Sequence, residues 1–141
     1  EPLFTSDTPM LRAVGLGQCG AAIANQYYLA RMLRGDNRAD RAAAAKVKVV
    51  WPNPTHINIT AGGVTNSARN PEGARKLLEF LASPSSGEGY ASANDEYPLK
   101  GWGNNPTLKA FGTFKASSVS MEQLGRRNRE AVELMAQAGW K

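Results

Sequence analysis

Two adjacent phenols and one guanidinium are the side chains best placed to do chemistry together. They stand in Asn25-Gln26-Tyr27-Tyr28-Leu29-Ala30-Arg31. With Asn25 as N-cap, Tyr27 and Tyr28 fall in the first turn of a helix, where unpaired backbone N–H groups leave a partial positive charge. A phenolate is more stable there than elsewhere. Arg31 follows Tyr27 by four residues and Tyr28 by three, so it shares their side of the helix and could balance two phenolates. Hard anionic oxygens suit a small trivalent cation such as ferric iron. The metal must displace a proton that free tyrosine releases only near pH ~10, and its own charge makes that displacement favourable. Neighbouring helical side chains point ~100° apart. The pair can therefore meet one ion only where the helix end faces a cleft. On spacing alone, adjacent tyrosines are more often packing residues with wet hydroxyls.

A second motif competes. Gly15-Leu16-Gly17-Gln18-Cys19-Gly20 matches the G-x-G-x-x-G turn that cradles a dinucleotide pyrophosphate. That reading, an NAD-dependent Rossmann-type enzyme, needs a strand before the turn, a helix after it, and a later strand ending in Asp or Glu. Met10 to Val14 is a poor strand directly after a helix-start signal, and the later strand ends in Trp51-Pro52-Asn53 with no carboxylate. A flexible glycine turn is the simpler account. A structural fragment with no ligand is a third reading.

Other reactive side chains offer less. His56, the single histidine, precedes a strand rather than standing by the tyrosines, and reads as a structural hydrogen-bonder. Cys19 has no partner for an internal disulfide and reads as a buried structural thiol. Tyr97, ahead of Pro98, reads as extended packing near a hinge or cleft wall. Asp95 and Glu96 are adjacent on extended chain, point apart, and make a poor acid–base pair. No catalytic set emerges.

The elements that would hold these groups can be read from caps and periodicity. Asp7-Thr8-Pro9 opens a short helix that Gly15 and Gly17 end. Ala21 to Ala24 reads as a buried strand. Helices follow over Gln26 to Leu33, stopped by Gly35, and over Arg38 to Ala45. Lys46 to Trp51 and Ile57 to Thr60 alternate as strands. Asn70-Pro71-Glu72 opens the clearest helix, with Ala74, Leu77, Leu78 and Leu81 on one stripe. A Pro/Ser/Gly stretch covers Ser83 to Gly89, and Pro98 to Pro106 reads as loop. Ser120 caps a helix through Leu124. A last one runs from Glu130 to Ala138, stopped by Gly139. Helices alternating with few short strands give an α/β class. The strands are too few for a complete doubly wound sheet, so partner strands are expected upstream of Glu1.

Composition bounds the classes. Hydrophobic residues make up 42% and charged residues 21% of 141, a globular composition. No apolar run nears the ~18 residues of a membrane span, and no signal peptide is visible. Glu1 rather than Met opens the chain, as in a processed or partial protein. The net charge is +5, but Arg31, Arg34, Arg38 and Arg41, and Arg126, Arg127 and Arg129, lie without interleaved aromatics. They read as solvated helix faces, and no nucleic acid is expected as a partner.

Taken in order, the chain resembles the periplasmic ferric-iron-binding proteins, the substrate-binding components of iron(III) ABC transporters. The resemblance rests on Ala22 to Arg31, Val49-Val50-Trp51-Pro52-Asn53, Thr55 to Thr65, Asn70 to Ala74, and Leu77 to Pro84. Asn94-Asp95-Glu96-Tyr97-Pro98-Leu99, Phe111 to Lys115, Ala131 to Met135 and Ala138 to Lys141 complete it. It implies the C-terminal part of a two-lobed, type II periplasmic-binding-protein fold. Roughly residues 1–55 would come from one lobe, and 56–141 from the hinge return and terminal helices. It further implies Fe(III) held in the interlobe cleft, with Tyr27 and Tyr28 as metal ligands by position and Arg31 offsetting charge beside them. Delivery to an ABC permease of the inner membrane, a periplasmic location and a monomeric full-length protein belong to the same expectation. Family members are longer, and their remaining ligands lie in the N-terminal part. Gln18-Cys19-Gly20 stands where relatives are acidic, and the turn between Asn53 and Thr55 is shorter than theirs.

Overall fold

The computed structural model describes residues 4–140. Glu1 and Lys141, on which two of the sequence expectations rest, lie outside them. Seven helices lie among the described residues: α1 (Asp7–Gly15), α2 (Gln26–Arg34), α3 (Arg38–Ala44), α4 (Pro71–Leu81), α5 (Pro84–Asn94), α6 (Pro106–Ala110) and α7 (Met121–Gln137). Most of their starts follow from capping chemistry. The side chains of Asn37, Asn70, Ser83, Asn105 and Ser120 each accept from backbone N–H groups of the helix that follows. Proline occupies the first turn of α4, α5 and α6, where its missing N–H costs nothing.

The chain divides into two compact units. One comprises Glu1–Val50 and Ile59–Thr113, the other Trp51–Asn58 and Phe114–Lys141. In the first, α1, α2 and α3 pack on one another around Leu11, Leu29, Met32 and Ala44, with Tyr28, Leu33, Val47, Val49 and Phe111 against them. Burying side chains such as Leu29 contributes about 1.5–3 kcal/mol each. Gly15 makes the α1–α3 approach possible. A Cβ there would stand 2.7 Å from the Ala43 carbonyl carbon and 2.9 Å from its Cα. Arg12 Nε donates to Asp40 Oδ1 at 2.7 Å across the same pair of helices. Farther along, α4 packs on α5, and α2 touches α6.

In the second unit, Thr55 pairs with Ala116 in a single parallel bridge. The Thr55 N–H donates to Lys115 O and the Ser117 N–H to Thr55 O, each at 2.8 Å. Trp51 lies against Phe114 with ring centroids 4.7 Å apart. Ser120 and Gln123 close a reciprocal capping box at the start of α7.

Several sequence expectations are corrected. Ala21 to Ala24 is irregular and Ile23 is 89% exposed, so it is neither strand nor buried. Lys46 to Trp51 and Ile57 to Thr60 are also irregular among the described residues. A strand is defined by its ladder, and alternation without a partner chain beside it leaves no ladder to form. The Pro/Ser/Gly stretch from Ser83 is the first half of α5: the Ser83–Pro84 start fixes it, and buried Ala91 packs its far end. The two helices expected near the C-terminus are one, carried through Gly125. An ion pair of Arg126 with Glu122 spans that glycine, and one of Arg129 with Glu133 follows it. Cys19 is half-buried rather than buried.

Candidate functional site

Tyr27 and Tyr28 occupy the first turn of α2, as the sequence predicts. Their rings converge despite the angular separation of neighbouring helical residues. The centroids stand 4.5 Å apart and the planes are tilted by 36°. Arg31 folds back over both, its guanidinium carbon 4.9 Å from the Tyr27 ring centre and 5.9 Å from that of Tyr28. Both tyrosines are half-buried and Arg31 is exposed. One edge of Tyr28 leans on the α1–α3 core. The residue also lines an open groove of about 300 Å³ with Thr8, Met32, Gly35, Asn37 and Asp40. Neither ring is sunk in an apolar interior, and that of Tyr28 borders the groove.

Tyr27 does not sit in the electrostatic setting the sequence suggests. Tyr27 is held above its ordinary value, first by its hydrogen bond with Tyr28, then by burial and by the neighbouring Asp7 carboxylate. Arg31 pulls the other way but does not prevail. The helix start alone therefore does not bring the Tyr27 phenol below its ordinary value. Asp7 is close because Asn25, though it stands at the N-cap, does not cap α2 with its side chain. Its backbone N–H and its side-chain amide both donate to Asp7 Oδ2, at 3.0 and 3.3 Å. This contact ties the start of α2 to the start of α1.

Sequence reasoning missed what holds α2 from its other side. Asp95 is fully buried and sits in the left-handed region at φ 59°. Its Oδ2 accepts from Arg34 at 2.8 Å and its Oδ1 from the Asn105 amide at 2.9 Å. Its backbone oxygen accepts from the Gln26 amide at 3.2 Å, and Arg31 reaches the Asn94 oxygen at 3.4 Å. The C-terminal end of α5 is thereby bonded to the first and last turns of the tyrosine helix. The sequence gives no signal for this beyond the oddity of Asp95 beside Glu96, which do part company: Glu96 accepts from Thr60 Oγ1 at 3.2 Å.

The remaining candidates lie elsewhere. His56 bonds Asn58 at 3.0 Å and is exposed. Tyr97 packs edge-on against Trp102 at 5.7 Å, and burial raises its phenol above the ordinary value. Among the described residues no three His, Cys, Asp or Glu side chains gather as a metal cluster. No described helix is long and apolar enough to cross a membrane. The dinucleotide reading fails on geometry. Met10 to Val14 is helix α1 rather than a strand, and Gly15 ends that helix to admit Ala43. The segment after Gly20 is irregular up to Asn25.

No family model matches the chain. Individual relatives do. "Iron uptake protein A1" of Synechocystis is 38% identical over 96% of this chain and 39% of its own length. The "Major ferric iron-binding protein" of Neisseria gonorrhoeae is 26% identical over 98% of this chain and 42% of its own length. A Trichodesmium protein solved in complex with iron and citrate superposes over the whole of this chain, with TM-score 0.93 and 40% identity, across 46% of that protein. The chain matches a C-terminal part of the ferric-iron-binding proteins. It spans about two fifths of the curated relatives it matches. Its fold is a C-terminal portion of the α/β, periplasmic-binding-protein-like fold of those relatives. In this chain's described residues that fold is carried by helices and the Thr55–Ala116 bridge.

Proposed function

We propose that this chain contributes Tyr27 and Tyr28 as phenolate donors to a ferric ion, with Arg31 offsetting the charge they acquire. The observation that carries the reading is the convergence of two half-buried phenols under one arginine. It gains support from kinship with ferric-iron-binding proteins, one of them solved with iron. The whole protein would be a binding protein with no catalytic step, monomeric, working in the periplasm. It would close two lobes on Fe(III) and pass it to an ABC permease in the inner membrane.

The chemistry assigned to each residue is simple. Tyr27 keeps its proton above the ordinary tyrosine value before the metal arrives, chiefly through its hydrogen bond with Tyr28. Fe(III) replaces the phenol protons. Two adjacent phenolates then repel, and Arg31 and the first-turn N–H groups of α2 offset that repulsion. Asp7 instead disfavours the Tyr27 phenolate, which favours release once a proton returns.

Iron–tyrosinate bonds absorb visible light by charge transfer. Fe(III) supplied as its nitrilotriacetate complex should colour the protein, and Tyr28→Phe should weaken or abolish the band. An unchanged spectrum in that variant would remove Tyr28 from the site.

A further inference from the structure

We propose that Asp95 is the positioning residue of the tyrosine pair, a single buried carboxylate that fixes where the start of α2 points. The inference rests on the reading of Tyr27 and Tyr28 as ligands, and extends it to a residue that touches neither ring. Both carboxylate oxygens of Asp95 are engaged, one by Arg34 in the last turn of α2 and one by Asn105 at the start of α6. Its backbone oxygen takes Gln26, the residue immediately before the tyrosines. The neighbouring Asn94 oxygen takes Arg31, which covers both rings. Four polar contacts therefore run from one turn of chain, two to the first turn of α2 or its arginine, one to its last turn and one to α6.

Two features separate this from an ordinary surface ion pair. Asp95 has no exposed surface, so losing a partner leaves a buried charge without compensation. It also adopts a left-handed backbone conformation, which Asp and Asn tolerate better than other residues with a side chain. Asn105 is itself fixed: its oxygen caps α6 by accepting from Thr107 and Leu108 while its amide holds Asp95. Rigid support on one side and α2 on the other is the arrangement that holds ligating side chains to a geometry.

The test uses the 141-residue chain with Asp95→Ala, Asp95→Asn and Arg34→Gln. Asn keeps the backbone preference and one acceptor. Arg34→Gln removes the outer partner's charge but keeps an amide donor and leaves Asn105 on the carboxylate, so it is the milder variant should Asp95→Ala fail to fold. Two readouts are taken on protein shown to be helical by far-ultraviolet circular dichroism. The first is the near-ultraviolet dichroism of the stacked tyrosines, isolated by subtracting the Tyr27→Phe variant. The second is the visible band on adding ferric nitrilotriacetate. Arg34→Gln and Asp95→Ala should lower the tyrosine signal at least twofold and weaken apparent iron affinity at least threefold, with Asp95→Asn intermediate. An unaltered tyrosine signal in the folded variants overturns the proposal. A tyrosine signal that falls in a protein showing no iron band even as wild type sustains the positioning role and sinks the iron reading instead.

Discussion

Gly15 meets the backbone of Ala43 with no room for a methyl group, and this contact sets how closely α1 and α3 pack beneath the tyrosine helix. The close approach explains a glycine that, as part of a G-x-G-x-x-G string, invites a nucleotide reading. Gly15→Ala drives its Cβ into the Ala43 backbone, which no side-chain rotamer relieves. Overpacking of this kind costs about 1–3 kcal/mol. Urea unfolding followed by circular dichroism should show a lower midpoint with an unchanged slope. A midpoint equal to wild type would mean that the two helices part easily.

Asn105 serves two structures at once, capping α6 and holding Asp95. Asn105→Ala removes the cap and leaves one oxygen of a buried carboxylate without its partner. The loss should reach about 2–4 kcal/mol, more than the ~1 kcal/mol of a cap alone. Ser120→Ala, which removes the cap of the exposed α7, supplies the comparison. Equal losses for the two substitutions would contradict the dual role.

The phenol titration has a definite sign. Tyr27 releases its proton at a higher pH in the folded chain than in the unfolded one. Its contribution to stability is therefore complete below the ordinary tyrosine value and fades as pH rises through the folded value. A spectrophotometric titration should show late-ionising phenols, of which Tyr97 is one on account of its burial. Tyr28→Phe removes the hydrogen bond that chiefly raises Tyr27, so the Tyr27 ionisation should move down while that of Tyr97 stays. No movement would place the cause in burial instead.

Some helices with a capping side chain are legible from the residues alone, but α5 and α6, capped by Ser83 and Asn105, are not. Asn70-Pro71 announces α4, and the Gly35 and Gly139 stops fall where expected. The tyrosine segment is legible as a helix start from Asn25 at the N-cap position, although the Asn25 side chain makes no capping bond there. Three things lay beyond local pattern. Helix α5 is poor in strong helix formers, and tertiary packing at Ala91 overrides its composition. The extended segments alternate like strands, but pairing depends on neighbours that local pattern does not supply. The Asp95 contacts join residues more than sixty positions apart in α2, a relationship no periodicity encodes.

Two phenols are fewer donors than ferric iron takes, so this chain by itself should hold the ion weakly and yield it to citrate. Each phenol proton displaced makes binding fall about tenfold per unit of pH as the solution is acidified. Competition titrations at several pH values measure both effects. Tight binding that ignores pH would mean that the donors are not phenols.

The central claim is that both phenol oxygens face one trivalent ion, and anomalous scattering at the iron absorption edge tests it most directly. Crystals of the protein grown with Fe(III) should place a single iron peak within bonding distance of the Oη atoms of both Tyr27 and Tyr28, with Arg31 beside them. A peak elsewhere, or one bonded to neither tyrosine, would contradict the account.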